Sequence, residues 1–296
     1  MLKFLKIFCL SAVCFIILLG CSSKQEKVEQ SKPKQLEQSE TNNKTEKNET
    51  ENTKEERLDL KNVFHGINGC AVLYSPSENI YSLYNKELAE QKVSPYSTFK
   101  IISTLVGLHN NIIKDETSTM NYNGTKYPNP EWNENLTLQT AFQTSCIWYF
   151  RQILDSVGED EIKEELTELG YGNCDISEWE GSNVNPYEEL NGFWLNSSLK
   201  ISPFEQVKIL SKIFEGESIY GSESIEILKK IMLIQDNEEQ KIYGKTGSGT
   251  DGEAWFVGFT EKEQQRRYFA IYLSDSAHAG QISSSAAKEI ALKIIG

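Results

Sequence analysis

Short β-rich runs stand at both ends of this chain while helical periodicity fills its middle, and that order sharply limits the folds open to it. Residues 69–74 and 79–84 are β-rich runs around Ser75-Pro76-Ser77-Glu78, which predicts a hairpin. Strand patterning returns at 241–248, 254–260 and 267–274. Between these ends, apolar spacing predicts helices at 97–110, 137–157, 160–169, 203–215 and 222–233, and a closing helix follows at 284–295. The helix at 203 has a clear start: Ser202 caps it, Pro203 stands first and Glu205 completes a capping box. A sheet drawn from both ends of the sequence, with helices inserted between, is an α/β sandwich with a helical subdomain. No internal repeat is present, and the spacing predicts one catalytic-size unit from about 58 to 296.

The residues before that unit read differently. Residues 1–21 look like a lipoprotein signal: Lys3 and Lys6 make a positive start, Ile7–Leu19 is nearly all apolar, and Leu18-Leu19-Gly20-Cys21 resembles a lipobox. The apolar run is too short for a comfortable membrane span. On this reading Cys21 becomes a lipidated N-terminus that anchors the protein to a membrane, outside the cytoplasm. Residues 22–57 hold no aromatic residue and only Val28 and Leu36 as aliphatics. Such a segment cannot bury enough apolar surface to offset its ordering entropy, so a flexible tether is expected.

Charge and residue counts exclude several function classes. The net charge is −13, with no basic stripe to neutralise phosphates, which argues against nucleic acid as a partner. Cys9, Cys14 and Cys21 belong to the signal region; Cys70, Cys146 and Cys174 are odd in number without Cys-x-x-Cys spacing. Neither a disulfide framework nor a zinc site follows, and no metal is expected. His65, His109 and His278 are the three histidines, so a histidine base has little to draw on.

Chemistry concentrates in a few short motifs. A serine hydroxyl is a poor nucleophile and needs an adjacent base. Ser97 begins a predicted helix, which places Lys100 beside it one turn later, and helix N-termini offer free N–H groups for an oxyanion. The same Ser-x-x-Lys pattern occurs at Ser31/Lys34 in the tether, at Ser285/Lys288 in the closing helix, and at Ser197/Lys200 before the new helix that Pro203 begins, where the lysine is not helically placed. An ordinary N-cap serine is the bland alternative. Lys245-Thr246-Gly247 lies inside a β run, where the lysine can attract a carboxylate and Thr246 can donate a hydrogen bond. Gly247 lets a ligand approach the backbone, and Ser248 offers a second oxyanion N–H. Ser145-Cys146-Ile147 is less distinctive, since Ser182-Asn183-Val184 has the same shape. Tyr171-Gly172-Asn173 reads equally as a turn, and Phe193-Trp194-Leu195 as core packing.

Taken together, Pro95-Tyr96-Ser97-Thr98-Phe99-Lys100-Ile101, Ser145-Cys146-Ile147, Tyr171-Gly172-Asn173, Phe193-Trp194-Leu195 with Leu199–Ser202, and Lys245-Thr246-Gly247 resemble the class D serine β-lactamases over roughly residues 60–296. The resemblance implies the serine β-lactamase and penicillin-binding-protein fold, a central antiparallel sheet flanked by helices. It implies hydrolysis of the β-lactam ring through an acyl-Ser97 intermediate. Lys100, carboxylated by CO₂ to N6-carboxylysine, would be the general base, with CO₂ or bicarbonate the sole co-reactant and no other cofactor. Trp194 would donate to that carbamate while Ile147 and Leu195 shield it. Ser145 would pass a proton to the leaving nitrogen, with Lys245, Thr246 and Gly247 along the substrate and the Ser97 and Ser248 N–H groups at the oxyanion. One departure is plain: the family's arginine before the last helix is missing from Gly280–Ser285, and Arg266 and Arg267 lie before the preceding strand. Carboxylate binding is then expected on Lys245, Thr246 and a serine. The segment 174–192 is also longer than the resemblance leads one to expect. The rival readings are a β-lactam sensor that stays acylated, which would normally carry several membrane helices, a peptidoglycan transpeptidase, and a non-catalytic surface binding module.

Overall fold

The computed structural model describes residues 53–296, so the signal segment with Cys21 and the tether up to residue 52 lie outside the described residues. Seven strands form one sheet: β1 (Lys54–Arg57), β2 (Gly69–Ser75), β3 (Ile80–Tyr84), β4 (Leu233–Asp236), β5 (Lys241–Ser248), β6 (Glu253–Lys262) and β7 (Gln265–Ser274). Their order across the sheet is β1-β3-β2-β7-β6-β5-β4. All neighbours run antiparallel except β1 and β3. The helices are α1 (Lys61–Phe64), α2 (Lys86–Glu90), α3 (Lys100–His109), α4 (Leu138–Gln143), α5 (Ile147–Val157), α6 (Glu159–Leu169), α7 (Pro203–Phe214), α8 (Ser222–Met232) and α9 (Ser284–Ile295). Among the described residues no helix is long and apolar enough to cross a membrane.

Both faces of the sheet are covered, which explains the near-continuous apolar runs of β6 and β7 where a half-exposed strand would alternate. On one face Leu73, Phe256, Phe269 and Ile271 pack with Phe64 of α1 and with Ala287, Ile290 and Ala291 of α9. On the other, Val72, Trp255, Val257 and Ala270 join a larger core with Leu105 of α3 and Val207, Leu210 and Ile213 of α7. The expected sandwich with a helical middle is the fold observed. The expected capping box is present too: the Ser202 hydroxyl accepts from the Glu205 N–H at 3.1 Å, and the Glu205 carboxylate accepts from the Ser202 N–H at 2.9 Å.

Four local features depart from the sequence expectations. Lys54–Arg57, counted with the tether from its composition, pairs with the open edge of β3. Its side chains are all exposed, so main-chain hydrogen bonding makes the strand and apolar patterning gives no sign of it. The single helix expected over 137–157 is two, broken where Ser145 takes φ 59°. The helix expected from residue 97 opens with a 3₁₀ turn over Tyr96–Phe99, and α3 proper begins at Lys100. The short edge strand β4 follows α8 directly and was not foreseen.

Candidate active site

The turn before α3 is pinned from outside itself. Tyr96 holds φ 48°, rare for a bulky side chain. Its N–H donates to the Trp194 carbonyl at 3.1 Å, and the Trp255 indole donates to the Ser94 carbonyl at 3.1 Å. Ser97 is thereby left half-exposed on the next residue, with its Oγ 3.0 Å from the Lys100 Nζ. Lys100 is 0% exposed, and its amine lies 5.5 Å from the centre of the Phe150 ring. Burial pulls its pKa from 10.5 down to about 7, with Cys146 opposing weakly. Among the described residues Lys100 has no carboxylate partner.

A second lysine–serine pair lies close enough for Lys100 to act on it electrostatically. The break between α4 and α5 turns Ser145 inward: the Cys146 N–H reaches back to the Ala141 carbonyl at 2.8 Å, and the Trp132 indole holds the Thr144 carbonyl at 3.1 Å. Lys245 of β5 donates to the Ser145 Oγ at 2.8 Å and to the Thr246 carbonyl at 3.1 Å. Burial first, and the charge of nearby Lys100 second, hold the Lys245 amine well below its usual range. The influence of Lys100 on Lys245, and of Cys146 on Lys100, brings the two lysine–serine pairs within electrostatic reach of each other.

Strand β5 fits tightly against the turn that carries Ser97. A Cβ on Gly247 would stand 3.2 Å from Thr98 Cγ2 and 3.3 Å from the Pro95 carbonyl oxygen, so only glycine lies there without displacing a neighbour. Pairing with β4 stops at Tyr243, which leaves Gly244–Ser248 without a strand on that side among the described residues. A cavity of about 190 Å³ opens beside them, lined by Phe142, Ile231, Met232 and Leu233 together with Lys245 and Thr246. Thr246 is half-buried and Ser248 exposed at this edge.

Trp194 is buried with its ring against Phe99 and Phe193, at 6.0 and 5.1 Å between centroids. Its indole N–H has no acceptor among the described residues. Ile147, first residue of α5, and Leu195 are half-buried and pack on the same core. Tyr171-Gly172-Asn173 is a buttress outside the cavity. Asn173 binds the Ser198 carbonyl at 2.8 Å and the Lys200 N–H at 2.9 Å, while a Cβ on Gly172 would collide with the Lys200 carbonyl at 2.0 Å.

The arginines are elsewhere. Arg266 and Arg267 pair with Glu261 and Thr260 at the end of the β6–β7 ladder opposite Glu253 and Ser274, and Arg266 is engaged by Glu261, Glu215 and the Phe214 carbonyl. Three residues near the site escaped the sequence reading. Lys288 of α9 lines the cavity beside Thr246 and has no ion pair among the described residues. It belongs to a Ser-x-x-Lys pattern set aside for lying in the closing helix. Tyr96 and Glu253 form a hydroxyl–carboxylate hydrogen bond beside Ser97; a bulky aromatic just before the serine was the one available signal.

Comparison with known proteins agrees with this geometry. The family model for the penicillin binding protein transpeptidase domain matches residues 37–296. Regulatory protein BlaR1 of Staphylococcus aureus is 34% identical over 243 residues, covering 81% of this chain. This chain spans 40% of that protein's length and 36% of the Bacillus licheniformis BlaR1. The probable β-lactamase YbxI of Bacillus subtilis is 33% identical over 222 residues, covering 74% of this chain and 79% of that protein. Among solved structures, a class D β-lactamase from Bacillus subtilis matches with a TM-score of 0.71 at 31% identity, over 80% of this chain and 94% of that one.

Proposed function

The chain belongs to the penicillin binding protein transpeptidase domain family, and on that premise we propose that it is a serine β-lactamase of class D type, acylated at Ser97 and freed by water. The Lys100 amine carries the reading, being fully buried, 3.0 Å from the Ser97 hydroxyl and lowered to about 7. A large share of it is neutral near pH 7 and can take the Ser97 proton as the hydroxyl attacks a lactam carbonyl. The same neutral amine is the form that adds CO₂. A carboxyl group on Lys100 is supported by three features: the side chain is fully buried, and among the described residues no carboxylate competes for the amine and the Trp194 indole N–H is without an acceptor. A carboxylated Lys100 would supply an oxygen base for both acylation and release.

The remaining roles are part of the same proposal. Ile147 and Leu195 screen the amine from water. Ser145, bound to Lys245, hands a proton to the leaving nitrogen. The Ser97 and Ser248 N–H groups receive the oxyanion. Thr246 and Gly247 line the substrate, and Lys288 with Thr246 offers a cationic end for its carboxylate in place of the missing arginine. By the same proposal lipid on Cys21 holds the protein at a membrane outside the cytoplasm; fatty-acid labelling lost in Cys21→Ala tests this.

The likeness to BlaR1 favours a second reading, a β-lactam sensor in which the acyl group persists on Ser97. Mass spectrometry with a penicillin at short and long times, in the wild type and in Lys100→Ala, decides between them. A transient adduct in the wild type, slow to form and lasting in Lys100→Ala, is the hydrolase result. An adduct that lasts in the wild type makes the sensor, and no adduct at any time overturns both.

A further inference from the structure

Tyr96 adjoins Ser97 and is held in the left-handed region, a conformation that lasts only where the surroundings impose it. Besides its N–H bond to Trp194, its hydroxyl donates to Glu253 Oε2 in a short hydrogen bond. Its ring lies against the end of β5: a Cβ on Gly249 would stand 2.7 Å from Tyr96 Cζ and 2.6 Å from Glu253 Oε2. Glu253 opens β6 and accepts a second phenol, Tyr272 of β7, on Oε1 at 2.8 Å. Burial, with the Glu253 charge, raises both phenols far above their ordinary range, so both remain donors at working pH. Two residues before Tyr96, Ser94 is tied to Trp255 of the same strand. The nucleophile turn is thus fastened to the sheet at the end that carries Thr246–Ser248.

We infer that Tyr96 and Glu253 are positioning residues: the carboxylate latches the turn to the strand end and so fixes the gap between the Ser97 and Ser248 N–H groups. This rests on the acyl-serine reading, which assigns those two groups to the oxyanion. The bland alternative is that Glu253 merely satisfies two buried phenols. The two tyrosines separate these accounts, because each gives one hydrogen bond to the same carboxylate but only Tyr96 adjoins the nucleophile. A latch makes their removal unequal, whereas simple satisfaction of buried groups makes it equal.

The test compares Tyr96→Phe, Tyr272→Phe and Glu253→Gln in the full chain. It reads amide hydrogen exchange over residues 94–98, the rate of acylation by a fluorescent penicillin, and the thermal midpoint. The expected result is faster exchange and about tenfold slower acylation in Tyr96→Phe. Tyr272→Phe stays within about twofold of wild type on both readouts although the two midpoints fall alike. Glu253→Gln keeps one acceptor oxygen and lies between. Equal exchange and acylation in the two phenylalanine variants overturns the latch. A wild-type chain that is never acylated overturns the acyl-serine reading instead, and exchange at 94–98 still decides the latch.

Discussion

Cations at the two ends of strands β5–β7 are handled in opposite ways. At the end away from the cavity, Lys229 lies 2.9 and 3.0 Å from the two oxygens of Glu261, and Arg266 reaches the same carboxylate at 3.1 Å. Burial alone would raise the Glu261 carboxyl, but the hydrogen bonds from Lys229 and Arg266 outweigh it and hold it below its ordinary value. At the other end, Lys100 and Lys245 are more deeply buried, and among the described residues neither meets a carboxylate. Their amines shed charge instead. The difference teaches where this molecule spends stability on reactivity, since a paired cation is inert and a bare one is a base.

The largest expected break in this contrast is Lys100→Met. Turnover of a chromogenic cephalosporin should fall at least ~10³-fold, while the thermal midpoint holds or rises because an apolar side chain of similar volume replaces a buried amine. A midpoint lowered by many degrees would mean that the amine was compensated after all. Ser145→Ala should come next, with about 10²-fold slower acylation in stopped flow and unchanged binding of substrate.

Acidification sharpens the contrast from both ends. Lys100 titrates near about 7 when folded, against 10.5 unfolded, so acylation should fall about tenfold per pH unit below 7. Added bicarbonate should restore part of it. Between those two values the unfolded chain holds a proton that the folded chain lacks, so this group makes stability rise with pH across that window. Urea midpoints at pH 7 and pH 9 should therefore differ more in the wild type than in Lys100→Met. Glu261 works in the other direction of cause: its lowered carboxyl contributes stability above its unfolded value of 4.5, lost as pH falls through the folded one. The smallest effect on function belongs there. Glu261→Gln should cost about 1–2 kcal/mol, roughly 3–6 °C in midpoint, and leave turnover within about twofold; a larger loss of turnover would end the separation of the two regions.

How much of this was legible beforehand depends on what fixed each element. The capped start of α7 is written in three adjacent residues, Ser202, Pro203 and Glu205, and local chemistry suffices to read it. The pairing of Ser97 with Lys100 is legible for the same reason, being one turn of backbone. The break at Ser145 is not, because its positive φ is imposed by Trp132 and Lys245, the latter a hundred residues away in sequence. Tyr96 likewise owes its conformation to Trp194 and Glu253. Strand β1 was hidden because exposed polar side chains on a strand edge leave no periodic trace. Lys288 was hidden because only the packing of α9 on β5 brings it to Thr246.

The seam at Gly247 has a consequence for how such a chain can change over time. A Cβ there would stand 3.2 Å from Thr98 Cγ2 and 3.3 Å from the Pro95 carbonyl oxygen, so even alanine asks the turn that carries Ser97 to give by a few tenths of an ångström. Drift in sequence has less room there than at the rim of the cavity, where Leu233 and Ile234 are exposed to solvent.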